Sequence, residues 1–360
     1  MRDVKAGTSR PCGNREAICA AVGRWERWLE SLGRRLEVAH LDVTVETAPL
    51  PGHRLARTIR DRLGPDAPDD CRDLMRQLAR PSPTVAARTD TRVTVTFDLR
   101  SWDTQVGRAG RREGVAAYVP ALDQALAGLE DTLDGCGVAV LGRATRDELA
   151  ATMLAAFQPD RAGAIEWIIA APRHDLPEWE LSGPASAHEY REAYRHDAGL
   201  SASFVWSQAP RQLVTSSVLS ALARPGRFRK RLTLTYVATP ASAAMDAATA
   251  QVRWRWLTQA IAALPVVGRA TTAQDVRDAA AAEQATHEVA AGSGWVAATV
   301  LVTTTVLDEG DLATAVAELE QAAGASQLRL RLLYELQAAG FYAGLPAGLH
   351  LPELATGWSR

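Results

Sequence analysis

The sequence predicts an α+β protein of two ferredoxin-like lobes, each a split βαβ unit with helical insertions, the first lobe lacking its opening strand. Three observations predict it. Short segments alternate apolar and polar residues at period two, and between them lie segments with apolar residues three and four apart. In the second half these run β-α-β, helical hairpin, β-α-β. The first half runs α-β, two short helices, β-α-β and a further helix, which is the same order without its first strand.

Each element has its own signal. Residues 1–14 read as a disordered lead with no alternating apolar run. Ile18, Val22, Trp25, Leu29 and Leu32 form one apolar helical stripe, and Gly33 ends it. Leu41, Val43 and Val45 alternate with Asp42, Thr44 and Glu46, a strand with one wet face. Two short helices are expected over 53–63 and 69–79. A second strand carries Val93, Val95, Phe97 and Leu99, a helix follows at about 115–133, and a short strand covers Val138 to Leu141. Thr145 with Glu148 has the spacing of a capping box and starts the next helix. The prolines at 159, 172, 177 and 184 mark a connector.

In the second half Ser203 to Trp206 begins a strand, Gln212 to Leu222 is a helix closed by Pro225-Gly226, and Leu232, Leu234 and Tyr236 alternate with threonine. Thr239-Pro240 opens a helical hairpin over about 240–291. Trp295 to Val306 is the longest strand, Asp311 caps a helix that Gly324 ends, and Leu328, Leu330, Leu332 and Tyr334 form the last strand. The expected domains are therefore a lead (1–14), a first α+β lobe (15–158), a connector (159–190) and a second α+β lobe (191–360). An opening strand would be central in the first lobe. Its absence leaves neighbours unpaired and suggests a chain that begins downstream of its natural start.

A chain of 360 residues accommodates two domains, and 47% hydrophobic with 23% charged residues are globular values. A net charge of −2 excludes polyanion binding by bulk charge. Cys12, Cys19, Cys71 and Cys136 show no C-x-x-C spacing, which argues against a zinc or thioredoxin-like motif and fits a reducing compartment. The longest apolar run, Trp295 to Leu307, falls short of the ~20 residues of a membrane span, so the chain reads as soluble.

No catalytic motif emerges. A phosphate-binding loop needs a lysine after its second glycine, and Lys5 and Lys230 are the only lysines. Gly292-Ser293-Gly294 is a helix-to-strand turn and not a nucleophile elbow. His188-Glu189 and His287-Glu288 lack the second histidine of a zinc-binding H-E-x-x-H. His188, His196 and Asp197 are a thin metal candidate: spacing of eight puts both histidines on one face of a helix, where packing against Tyr190 and Tyr194 is the plainer reading. Asp42 and Glu46, and Arg329 and Arg331, read as solvated strand faces. No cofactor is expected. The one live feature is a basic turn, with Arg224, Arg227, Arg229, Lys230 and Arg231 inside a stretch free of acid from Asp197 to Asp246. It could hold an acidic partner or lipid headgroup phosphates. Nucleic acid is less favoured, because only Phe228 supplies an aromatic.

The run YRHDAGLSASFVWSQAPR (194–211), with SSVLSALARPGRFRKRLTLTYVATPASAA (216–244), resembles the C-terminal region of an actinobacterial membrane-protein family. That family's genes sit in conjugative-element clusters beside PrgI-like and TraC/TrbE/CagE-type ATPase genes. DVTVETAP (42–49), LGPDAP (63–68), AAEQ (281–284), LVTTTVLD (301–308) and LRLRLLYELQAAGFYAGLPAGLHLP (328–352) extend the likeness over about 25–360. The layout is also similar to the non-ATPase N-terminal region of the TraC/TrbE/CagE proteins and, more distantly, to EccE of type VII secretion. The resemblance implies a non-enzymatic scaffold of a conjugative, type IV-like secretion system at the cytoplasmic face of the membrane, with the secretion ATPase and membrane subunits as partners. It supplies no catalytic residue. Family members begin with two transmembrane helices and a further strand, which this sequence lacks, in keeping with the missing strand. The alternatives are an EccE-like component, a metal-dependent protein using His188, His196 and Asp197, or a nucleic-acid binder using 224–231.

Overall fold

The computed structural model describes residues 2–7, 15–33, 35, 37–49, 68–71, 73, 87–165, 179–208, 218–239, 295–326 and 328–357. Its frame is one ten-stranded antiparallel sheet. The first four strands are β1 (Arg2–Gly7), β2 (Val38–Pro49), β3 (Ala87–Phe97) and β4 (Ala139–Arg143), in spatial order β4-β1-β3-β2. A short hairpin, β5 (Ala187–Glu189) and β6 (Tyr194–His196), precedes β7 (Gly199–Gln208). Then come β8 (Arg229–Thr239), β9 (Trp295–Val306) and β10 (Arg329–Leu332). This second set runs β8-β9-β7, and the far edge of β7 is shared by β6 and β10.

Both sets have the same order, fourth strand, first, third, second. They meet through their second strands, β2 and β8, which pair from Leu41 opposite Tyr236 to Thr47 opposite Lys230. Equivalent strands paired antiparallel are related by a local two-fold axis. It passes between Thr44 and Thr233, whose hydroxyls lie 3.3 Å apart.

The opening strand expected to be missing is present. Arg2–Gly7 lies between β3 and β4, where a disordered lead was expected. It escapes pattern reading because RDVKAG has no apolar alternation; backbone bonds to two neighbours hold it in place. A register shift beside Lys5 and Ala6 is matched on β4 by Gly142 at φ 142°, a conformation glycine adopts without strain.

Helices cover both faces. On one face lie α1 (Arg15–Leu32), α3 (Val119–Asp134), α5 (Ser220–Ala223) and α6 (Leu312–Ala325); α2 (Asp103–Arg112) lies between β3 and α3 in the chain. Trp28, Leu32, Leu129 and Leu133 pack on Leu41, Val93 and Val95, while Leu222, Leu319 and Ala323 pack on Phe204, Leu232 and Val302. The two cores interlock at the seam: Tyr236 of β8 joins the first, edge-on to Trp25, and Val45 of β2 joins the second. On the other face lie α4 (Arg146–Phe157), α7 (Gln337–Ala343) and α8 (Leu351–Gly357). The Thr145–Glu148 capping box opens α4 as the sequence predicts, with reciprocal bonds of 3.0 and 3.2 Å. Asp311 stands at the start of α6 without a capping bond; the side-chain turn is made by Asp308, which accepts from the Gly310 amide.

The expected helical hairpin at 240–291, most of the two short helices at 53–63 and 69–79, and the core of the 159–190 connector lie outside the described residues.

Candidate functional site

The α4/α7/α8 side of the sheet is the chemically rich one. Its strands present His40, Asp42, Thr44 and Glu46, then Thr94, Arg231, Thr233, Thr303 and Thr305, then Ser201 and Ser203, all buried. The wet strand face expected for Asp42 and Glu46 is therefore dry, at 0% and 8% exposure. Period-two alternation reports which side chains share a face; it does not report what covers them.

Hydroxyls satisfy one another across the strands. Ser201 meets Thr305 at 2.8 Å, Ser203 meets Thr303 at 3.0 Å, and Thr235 donates to Asp42 at 2.6 Å. The covering segment supplies carbonyl oxygens. Thr233 donates to Gly344 O at 3.0 Å, and Thr96 to Gly348 O at 3.4 Å. His350 stacks on His40 with ring centroids 5.2 Å apart. Residues 344–350 thus strap β8 to β2 and β3, and this is the AGLPAGLH run the sequence singles out.

Glu46 is the centre of charge. Arg229 Nε lies 2.9 Å and Arg231 Nη2 3.2 Å from its Oε1. Burial alone would push the Glu46 carboxyl up, but Arg229, Arg231 and Arg92 around it bring it down to about 2. Burial lowers the Arg231 guanidinium, and Glu46 opposes that. Among the described residues Nε and Nη1 of Arg231 have no hydrogen-bond partner; the guanidinium carbon sits 5.5 Å from the centre of the Phe341 ring. Arg92 donates to Thr152 of α4 at 3.2 Å, and Arg229 to the Ala155 carbonyl.

The five cations expected to form a basic turn are divided by the fold. Only Arg224 and Arg227 are exposed, and Arg227 pairs with Asp311 at 3.1 Å. Arg229, Lys230 and Arg231 open strand β8. Lys230, half-buried and lowered by that burial, donates to Arg224 O at 2.9 Å.

The metal candidate is not assembled. His188 and His196 lie on the β5–β6 hairpin and not on a helix; Ala187 stands opposite His196, so His188 faces the other side. The two-residue turn at Asp197, with φ 42°, closes β6 onto β7. His196 is fully buried, its Nδ1 2.9 Å from Phe157 O and its Nε2 2.8 Å from Ser201 Oγ. Burial holds its ring down at about 4, against the Phe157 bond. Asp197 Oδ1 accepts from the Ser186 amide at 2.8 Å. Among the described residues no cluster of three metal-ligating side chains occurs. Arg329 is exposed on β10, as expected, and Arg331 is half-buried.

The Glu46 cluster was missed as a unit. The signal was available: β2 reads Asp-x-Thr-x-Glu and β8 reads Arg-x-Arg-x-Thr-x-Thr, complementary strings at the same period. Beside the cluster opens a cleft of about 250 Å³ between β2, β8 and the end of α4. No helix among the described residues is long and apolar enough to cross a membrane. No known family model matches the chain, and comparison with curated proteins gives no match.

Proposed function

We propose that this chain is a rigid, non-enzymatic scaffold of a conjugative, type IV-like secretion machine, working at the cytoplasmic face of the membrane. Each lobe is read as ferredoxin-like, since each set of four strands has the order fourth-first-third-second with two packing helices on one face. The sequence runs at 194–211, 216–244 and 328–352 supply the secretion context.

One observation carries the scaffold reading. The charged and hydroxyl groups of the sheet serve to join the lobes: Glu46 reaches across the seam to Arg229 and Arg231, and the 344–350 strap binds both sides. A nucleophile or general base needs room for a substrate. Here His196 is held by a backbone carbonyl and a serine, and His40 is buried beneath the His350 ring.

The test is co-purification. Tagged chain expressed from its own gene cluster should retain the cluster's TraC/TrbE/CagE-type ATPase through that protein's non-motor region. The purified chain alone should hydrolyse no nucleoside triphosphate. Hydrolysis by the pure chain, or failure to retain any secretion subunit, contradicts the reading.

A further inference from the structure

The cleft beside the Glu46 cluster is not used by the scaffold role. Arg229 forms one wall, with its side chain 11% exposed and fixed between Glu46 and the Ala155 carbonyl at the end of α4. With Arg92 and Arg231 it makes three guanidinium groups around the one carboxylate of Glu46. Arg88 and Arg227 also line the cleft. Their own ion pairs, to Asp90 at 2.5 Å and Asp311 at 3.1 Å, are partly exposed. Such pairs contribute little and exchange readily. The cleft therefore has three arginines on its lining, Arg229 fixed and Arg88 and Arg227 in partly exposed ion pairs, with Asp160 and Asp311 as the opposing charges.

We propose that this cleft binds a phosphate monoester. Guanidinium forks match phosphate oxygens two at a time, and a pre-positioned arginine loses little entropy on binding. The volume exceeds a bare phosphate, and Phe228, Val306, Leu307 and Pro159 give the rest of the wall an apolar character suited to the organic substituent. The Arg227 guanidinium lies 5.0 Å from the centre of the Phe228 ring. The phosphate has two possible sources, a free metabolite or the headgroup of phosphatidic acid. The inference stands apart from the secretion reading, since it needs only the cleft.

Calorimetric titration of the full chain with glycerol 3-phosphate, and co-sedimentation with phosphatidylcholine vesicles with and without phosphatidic acid, test it. Binding in the first arm identifies a soluble ligand, and binding only in the second identifies a headgroup. Arg227→Ala, an exposed residue whose loss leaves the fold intact, should weaken binding about tenfold in whichever arm is positive. Asp160→Asn should tighten it. Absence of binding in both arms, or affinity unchanged by Arg227→Ala, overturns the proposal.

Discussion

Glu46 shows how much one side chain can hold. It is buried with two arginines from the neighbouring strand, so its removal leaves two guanidinium groups in the interior without their anion. Glu46→Gln should lower the stability to urea unfolding by about 3–5 kcal/mol; a loss below 1 kcal/mol would show that water already reaches the cluster. The buried histidines make a second prediction. His40, lowered by burial and then by His350, titrates at about 4, as does His196, against an ordinary value of 6.5. The unfolded chain therefore takes up protons between pH 6.5 and 4 that the folded chain refuses. The stability from neutral burial is complete above pH 6.5 and is lost as pH falls toward 4, by at most about 3 kcal/mol per histidine. Glu46 continues the loss from 4.5 down to about 2. A urea midpoint measured from pH 7 to 4 should fall steadily; a flat profile contradicts the burial of both rings. In the sequence these partners show only as complementary charged strings on β2 and β8, which do not name the pairing. Asp42 and Glu46 read as a solvated face and Arg231 as part of a basic turn, because a polar alternation is silent about a covering layer.

At the scale of elements, the least expected contact is α7 on β7. β6 pairs with the first residues of β7 and β10 with the last, leaving Ser203 between them. Gln337 fills the gap: its Oε1 accepts from the Ser203 amide at 2.7 Å, and its Nε2 donates to Leu333 O at 2.8 Å and Ser203 O at 3.3 Å. The helix reaches that depth because position 340 is glycine. A Cβ there would lie 2.5 Å from Leu333 Cδ1 and 2.7 Å from Ser203 Cβ. Gln337→Leu should cost about 2–3 kcal/mol, with faster amide exchange at Ser203, because a buried donor loses its acceptor; unchanged exchange at Ser203 would rule the plug out. Elements with strong local signals were legible. β9 was read at its full extent, and the Thr145 box at its residue. β1 and the β5–β6 hairpin were not: β1 is held by pairing partners far along the chain, and the hairpin's aromatics had been read as helical.

At the scale of the molecule, the two halves behave as one body. The β2–β8 ladder, the exchange of Tyr236 and Val45 between cores, and the 344–350 strap all cross the same seam. The repeat of element order that predicted two lobes was readable; that their second strands fuse into one sheet was not, because edge pairing between lobes leaves no periodic mark beyond the opposite charges of β2 and β8. A scaffold that transmits position needs this fusion, whereas two hinged lobes would not supply it. The most direct measurement is hydrogen exchange followed by mass spectrometry across a urea series, comparing β3 in the first half with β9 in the second. A single transition is expected, with both strands opening at the same urea concentration and with Glu46→Gln shifting both together. Separate transitions, or a shift confined to one half, would contradict it.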